Sequence, residues 1–199
     1  MSKEIKHRWP LLAVAAGMGF GIDWWTKYLA AHILSPGEPR SVIGHWLEFV
    51  LVYNKAAVFG LDPRHLIPWF PLNTFFSIFM VVAAGILILY YRHLQKSDRL
   101  MHGAIMFILP GALGNLFDRV LHAPQGVVDF IKVDLGFRPF NPWPIFNMAD
   151  AWVTIGVALM LVSFLFAERA AKKVPVNEDK SDSAGEAAGG DGTKLSESR

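Results

Sequence analysis

From Pro68 to Tyr91 the chain carries no charged side chain, and between Phe75 and Leu89 it is almost unbroken hydrocarbon. Few folds are open to such a stretch, because roughly 20 apolar residues at about 1.5 Å of helical rise each match a bilayer core of about 30 Å. Three further runs read the same way: 11–34, 100–118 and 145–166. Apolar residues are clumped rather than spread at amphipathic spacing, and 53% hydrophobic content exceeds what a soluble domain of 199 residues normally carries. The expectation is an all-α integral membrane protein with four transmembrane helices and a small extracytoplasmic β-rich element.

Charge orders the segments around these spans. The arm 1–10 is short and basic, with Lys3, Lys6 and Arg8. The run that follows passes through Trp24, Trp25 and Tyr28, too long for a secretory h-region, so it reads as a retained first span. Within it Gly17 and Gly21 have the small-xxx-small spacing of closely packed helices. Segment 35–67 opens with turn residues and then has strand formers from Trp46 to Tyr53; it reads as an extended, surface-lying piece able to hold a peptide by strand addition. After the span 68–91, a basic connection 92–99 contains Arg92, Lys96 and Arg99. The third span, 100–118, has Pro110-Gly111 as an expected break near its middle. A loop, 119–144, leads to the fourth span, and 167–199 opens with Arg169, Lys172 and Lys173 before a polar tail of disordered character. The arm, the 92–99 connection and the tail fall on one side, which the positive-inside rule makes cytoplasmic. Segments 35–67 and 119–144 then face outward.

Polar residues at the outer ends of these spans carry the chemistry. Asp23 and Lys27 are four apart on one helical face. Gly111, Gly114, Asn115 and Asp118 share another, with Arg119 beside it. Asp129 lies in the connecting loop, and Asn147 and Asp150 open the fourth span. Ionisable groups inside a span are costly and mark function. The bland alternatives are an ion pair for Asp23 and Lys27, interface residues for Asp118 and Arg119, and a helix cap for Asn147. Two carboxylates brought together and partly desolvated share a proton, one able to activate water while the other protonates a carbonyl oxygen. No cysteine is present, and the 7 histidines are dispersed without ligand spacing, so neither a thiolate nucleophile nor a metal site is expected. The same carboxylates would also suit a proton-coupled membrane transporter, although that reading needs polar groups along a whole path; a non-catalytic assembly subunit is the third possibility.

Five ordered motifs carry a resemblance: Asp23-x-x-Thr26-Lys27, Asn54 with Phe59-Gly60, Gly111-Ala-x-Gly-Asn115-x-x-Asp118-Arg119, Val127-Val128-Asp129-Phe130, and Phe146-Asn147-x-Ala149-Asp150. Together they resemble lipoprotein signal peptidase, the bacterial signal peptidase II family, over nearly the whole chain except the tail. That resemblance implies an intramembrane aspartyl endopeptidase without cofactor, acting on prolipoproteins just before a Cys that carries diacylglyceryl and blocked by globomycin-type peptides. It implies Asp129 and Asp150 as the catalytic pair, with Asp23, Lys27, Asn54, Asn115, Arg119 and Asn147 in supporting or substrate-binding roles, within a monomer in contact with membrane lipid. Two positions depart from the family pattern, Ala56 where Gly is usual and Trp24 where Gln is common.

Overall fold

The computed structural model describes residues 8–55, 69–95, 97–123, 125–137 and 143–172, with backbone alone at 169–172. The Phe59-Gly60 pair, Ala56, the first residues of the arm and the tail beyond 172 lie outside the described residues. In chain order the elements are α1 (Arg8–Ile33), β1 (Arg40–Ile43), β2 (Leu47–Asn54), α2 (Leu72–His93), α3 (Arg99–Leu121), β3 (Val127–Val133) and α4 (Met148–Lys172).

Helix α3 is the hub of the helical layer. Half of its most apolar stretch is buried (50%), against 11% for α2 and 17% for α4. Its inward face explains why: Gly111 lies where a Cβ would run into Val153 and the backbone of Ala149, and Gly114 where one would run into the Asp23 carboxylate. Small residues there let α1 and α4 approach α3 closely. The outward faces are greasy instead, with Ile78, Phe79, Val82 and Ile86 of α2 and Leu161, Phe164 and Leu165 of α4 exposed. Apolar surface on this scale marks contact with lipid.

Helices α2, α3 and α4 are long and apolar enough to cross a bilayer. Helix α1 has the length, 26 residues, but Asp23, Lys27, the paired tryptophans and three glycines dilute its apolar character. Two local expectations change. Helix α3 runs straight through Pro110 without ending, because a proline costs one backbone hydrogen bond and membrane helices tolerate it where neighbours pack against the gap. And it is Gly19, not Gly17 or Gly21, that meets a neighbouring helix: a Cβ at 19 would strike Pro110, whereas 17 and 21 face open space.

A three-stranded antiparallel sheet, ordered β1-β2-β3, sits over one end of the helices. Strand β2 was expected from Trp46–Tyr53. Strand β3 was not: Val127-Val128-Asp129-Phe130 forms a strand, not a loop, because β2 offers it an edge, with Val52 opposite Asp129 and Asn54 opposite Val127. Gly126 makes the entry possible. Its φ is +95°, and a Cβ there would press into the Asn54 carbonyl. Gly126→Ala is expected to cost about 1–3 kcal/mol of stability and to lower activity further by pushing Asn54 off Asp129, measured as a fall in Tm together with a fall in turnover.

Candidate active site

The polar residues of all four helices and two strands meet in one connected network beneath the sheet. Asn147 stands just before α4 and is fully buried. Its side-chain oxygen accepts from the Asp150 amide (3.0 Å), while Asp150 Oδ2 accepts from the Asn147 amide (3.2 Å). This reciprocal cap fixes the Asp150 carboxylate at the positive end of the α4 dipole. The Asn147 Nδ2 group also donates to Asp129 Oδ1 at 2.7 Å. A single asparagine thus holds both acids, one through its side-chain amide and the other through its backbone.

Each acid has one further amide. Asn115 Nδ2 of α3 donates to Asp150 Oδ1 (2.8 Å), and Asn54 Nδ2 at the end of β2 donates to Asp129 Oδ2 (2.8 Å). Asn54 therefore sits on an acid, where the sequence alone left it free to hold a substrate. Asp129 is 2% exposed, whereas Asp150 is only half-buried. Burial and then the neighbouring Asp150 charge push the Asp129 carboxyl up to about 7, against the pull of its two amide donors and of Lys27.

Behind the acids lies a cationic knot. Lys27 of α1 is buried and spends its ammonium on Asp23 Oδ2 (2.8 Å), Asp118 Oδ2 (3.0 Å) and Asn115 Oδ1 (3.0 Å). Asp23 in turn accepts from the Ala149 amide in the first turn of α4 (2.8 Å), and Asp118 from the Val128 amide on β3 (3.2 Å). Arg119, also buried, stacks its guanidinium over the Phe76 ring at 5.2 Å and approaches Asn73 Oδ1 at 3.5 Å. All eight residues singled out from the sequence, namely Asp23, Lys27, Asn54, Asn115, Arg119, Asp129, Asn147 and Asp150, belong to this region.

Two residues were missed. Asp118, on the inward face of α3 by spacing but outside the supporting set that the resemblance implies, is 3% exposed and ties α1 to β3 through Lys27 and Val128. Its position on the Gly111–Asn115 face was the available signal. Asn73 donates to the Arg119 carbonyl (2.8 Å) from the start of α2, and nothing in the sequence pointed to it. A cleft of about 340 Å³ opens beside these groups, lined by Lys55, Asn73, Thr74 and Gly126 among others. Among the described residues, no group of three His, Asp or Glu is arranged to hold a metal ion.

The family model described as signal peptidase (SPase) II matches residues 15–166. The chain belongs to the signal peptidase II family. A lipoprotein signal peptidase of Listeria monocytogenes serotype 4b (strain CLIP80459) is 36% identical over 153 residues, which is 77% of this chain and 92% of that protein. One from Azoarcus sp. (strain BH72) is 36% identical over 168 residues, 83% of this chain and 86% of that one. Among solved structures, a bacterial membrane enzyme obtained by the in meso method at 2.3 Å resolution is similar with a TM-score of 0.68 and 31% identity, covering 84% of this chain and 94% of its own. A second, at 1.9 Å, gives 0.63 and 31%, covering 78% and 93%. As a signal peptidase II with helices this apolar, the protein is an integral membrane protein of bacteria and a protease of lipoprotein processing.

Proposed function

We propose that this signal peptidase II hydrolyses its peptide bond with Asp129 and Asp150 acting as a dyad on water, and that the substrate is a prolipoprotein whose cysteine carries diacylglyceryl. The observation that carries the reading is the shared Asn147: two carboxylates anchored to one residue, at the same end of the helices and beneath one sheet. Asp129, the deeper acid, holds the shared proton. Asp150, half-buried and facing the α4 N-terminus, takes a proton from water as the water oxygen bonds to the scissile carbonyl carbon. The Asp129 proton passes to the carbonyl oxygen. When the tetrahedral species collapses, the C–N bond breaks, and the leaving nitrogen recovers a proton from the dyad. No covalent acyl-enzyme forms.

In this reading α1 is the fourth span, both termini are cytoplasmic and the acids lie just under the extracytoplasmic surface. The positive-inside bias of the sequence supports that orientation, and the sheet over the acids supplies a cover from the aqueous side. The apolar outer faces of α2 and α4 suit a substrate that arrives within the bilayer as a signal helix with acyl chains. A globomycin-type peptide would compete at the same acids, and one chain suffices because it supplies every group in the network.

The pH profile tests the dyad. The active form carries one proton on the pair, so turnover of a purified diacylglyceryl precursor should fall as pH rises through about 7, where Asp129 loses its proton. It should fall again in strong acid, when both carboxyls are protonated. A profile that climbs steadily through pH 7 to 9, or an acyl-enzyme trapped by hydroxylamine, would count against it.

A further inference from the structure

On the other side of the sheet lies a cavity that the reaction does not use. It measures about 430 Å³, within the roughly 300–1,000 Å³ of pockets that hold small ligands. Its walls are Leu29, Ala30 and Ile33 of α1, Val42 of β1, Phe49 of β2 and Phe130 of β3. Thr26 also borders it, but the hydroxyl is spent on the Ile22 and Asp23 carbonyls at 2.9 and 3.0 Å, so the interior gains no free polar group there. Adjacent residues of a strand point to opposite faces. Phe130 therefore faces away from the side on which Asp129 meets Asn54 and Asn147, and the sheet separates this cavity from the acids.

Two features say what would fill it. Arg40 lies on the lining, exposed and without an ion pair among the described residues. Trp24, Trp25 and Tyr28 are exposed on α1 just before Leu29, with both indoles stacked on the tyrosine at 5.8 and 6.0 Å. Exposed Trp and Tyr of this kind sit at headgroup depth in a bilayer. The cavity is thus apolar within, cationic at its edge and level with the glycerol and phosphate of a lipid.

We propose that the cavity between α1 and the back of the sheet binds one anionic glycerophospholipid of the surrounding leaflet, with an acyl chain along Leu29, Ile33 and Phe49 and the phosphate on Arg40. A guanidinium meets phosphate oxygens as a two-pronged donor, the strongest neutral-pH match available to a lipid headgroup. The bound lipid fills the gap between the β1-β2 hairpin and α1. It thereby steadies the strand whose far end carries Asn54, and through Asn54 the Asp129 carboxylate. A substrate with its scissile bond at the acids would have to pass round the sheet to place its own chains here, which favours a resident lipid.

The experiment uses the full-length protein in nanodiscs carrying photoactivatable phosphatidylglycerol or phosphatidylcholine, with crosslinked positions mapped by mass spectrometry. Phosphatidylglycerol is expected to label 29–34 and 42–49 in preference to phosphatidylcholine. Arg40→Gln should weaken that labelling about tenfold, toward the phosphatidylcholine level. Val42→Trp should fill the cavity and remove labelling by both; if that variant does not fold, Arg40→Gln and the crosslink map decide alone. Equal labelling by the two lipids, indifference to Arg40→Gln, or crosslinks confined to the outer faces of α2 and α4 would overturn the proposal. So would loss of the label in step with added lipidated precursor, which would make the occupant substrate, or its loss on self-association, which would make it a second copy.

Discussion

Asp150→Asn and Asp129→Asn should each lower precursor cleavage by at least about 10³-fold, the scale of a lost acid/base function, while the protein still folds. Each variant sets a donor against a donor. At 129 the carboxylate accepts from Asn147 and Asn54; an amide keeps the first bond and turns a donor toward Nδ2 of Asn54. At 150 an amide keeps the bond from the Asn147 backbone but faces Nδ2 of Asn115, which is held in place because its oxygen already accepts from Lys27 and Asn147. Asp150→Asn and Asp129→Asn should therefore each lose about 1–3 kcal/mol of stability. Combining them should cost no more activity than either alone, because acids that share a proton act as a unit. Wild-type turnover in either variant, or a double variant whose losses multiply, removes the dyad.

Stability against pH gives a second view of the same group. Folded Asp129 titrates near 7 and an unfolded aspartate near 3.8, so between these values the native state binds a proton that the unfolded state does not. Native stability is then lost as pH rises through that window, and Asp129→Asn should flatten the slope. This readout is independent of catalysis.

How far these features could be read from the chain depended on the range of the interactions that make them. The apolar character of the helices is a local fact of composition and needs no partner to be read. The strand around Asp129 was not, because three apolar residues interrupted by a carboxylate make no periodic signal; the strand exists only because β2 lies alongside. Pro110 is a breaker by local rule, and the helix survives because neighbouring helices pack against it. The glycine face of α1 was a misjudged rotation: Gly19, Asp23 and Lys27 follow at four-residue steps, so the polar pair already fixed which glycine faces α3. Asp118 was undervalued because its partner Lys27 lies on another helix. Candidate site residues were easier to collect than to connect, since helical spacing shows which groups share a face but not which face meets which.

Lys27→Met should be the most damaging substitution outside the acids. The lysine is 4% exposed and is the only cation within bonding distance of both Asp23 and Asp118 among the described residues. Methionine has nearly the same reach, so packing is preserved and the loss is electrostatic. Two buried carboxylates would each keep one backbone donor, from Ala149 and Val128; Asp23 would lose its ion-pair partner, and Asp118 would keep only the more distant His122 ring at 3.6 Å. Breaking a buried pair in this way costs about 3–5 kcal/mol, a large part of a typical folding free energy, so the expected result is poor accumulation in the membrane or a much lower Tm. Neutralising the partners separates structure from catalysis. Asp23→Asn with Asp118→Asn in the Lys27→Met background should restore much of the Tm, since an amide can still accept from the same backbone groups. If Lys27 also supplies field to the acids, as its pull on Asp129 indicates, turnover in the neutral triple variant should remain low and its fall at high pH should move upward, because Asp129 then holds its proton more tightly. Lys27→Met with an unchanged Tm would mean that the knot does not hold α1 to α3 and the sheet.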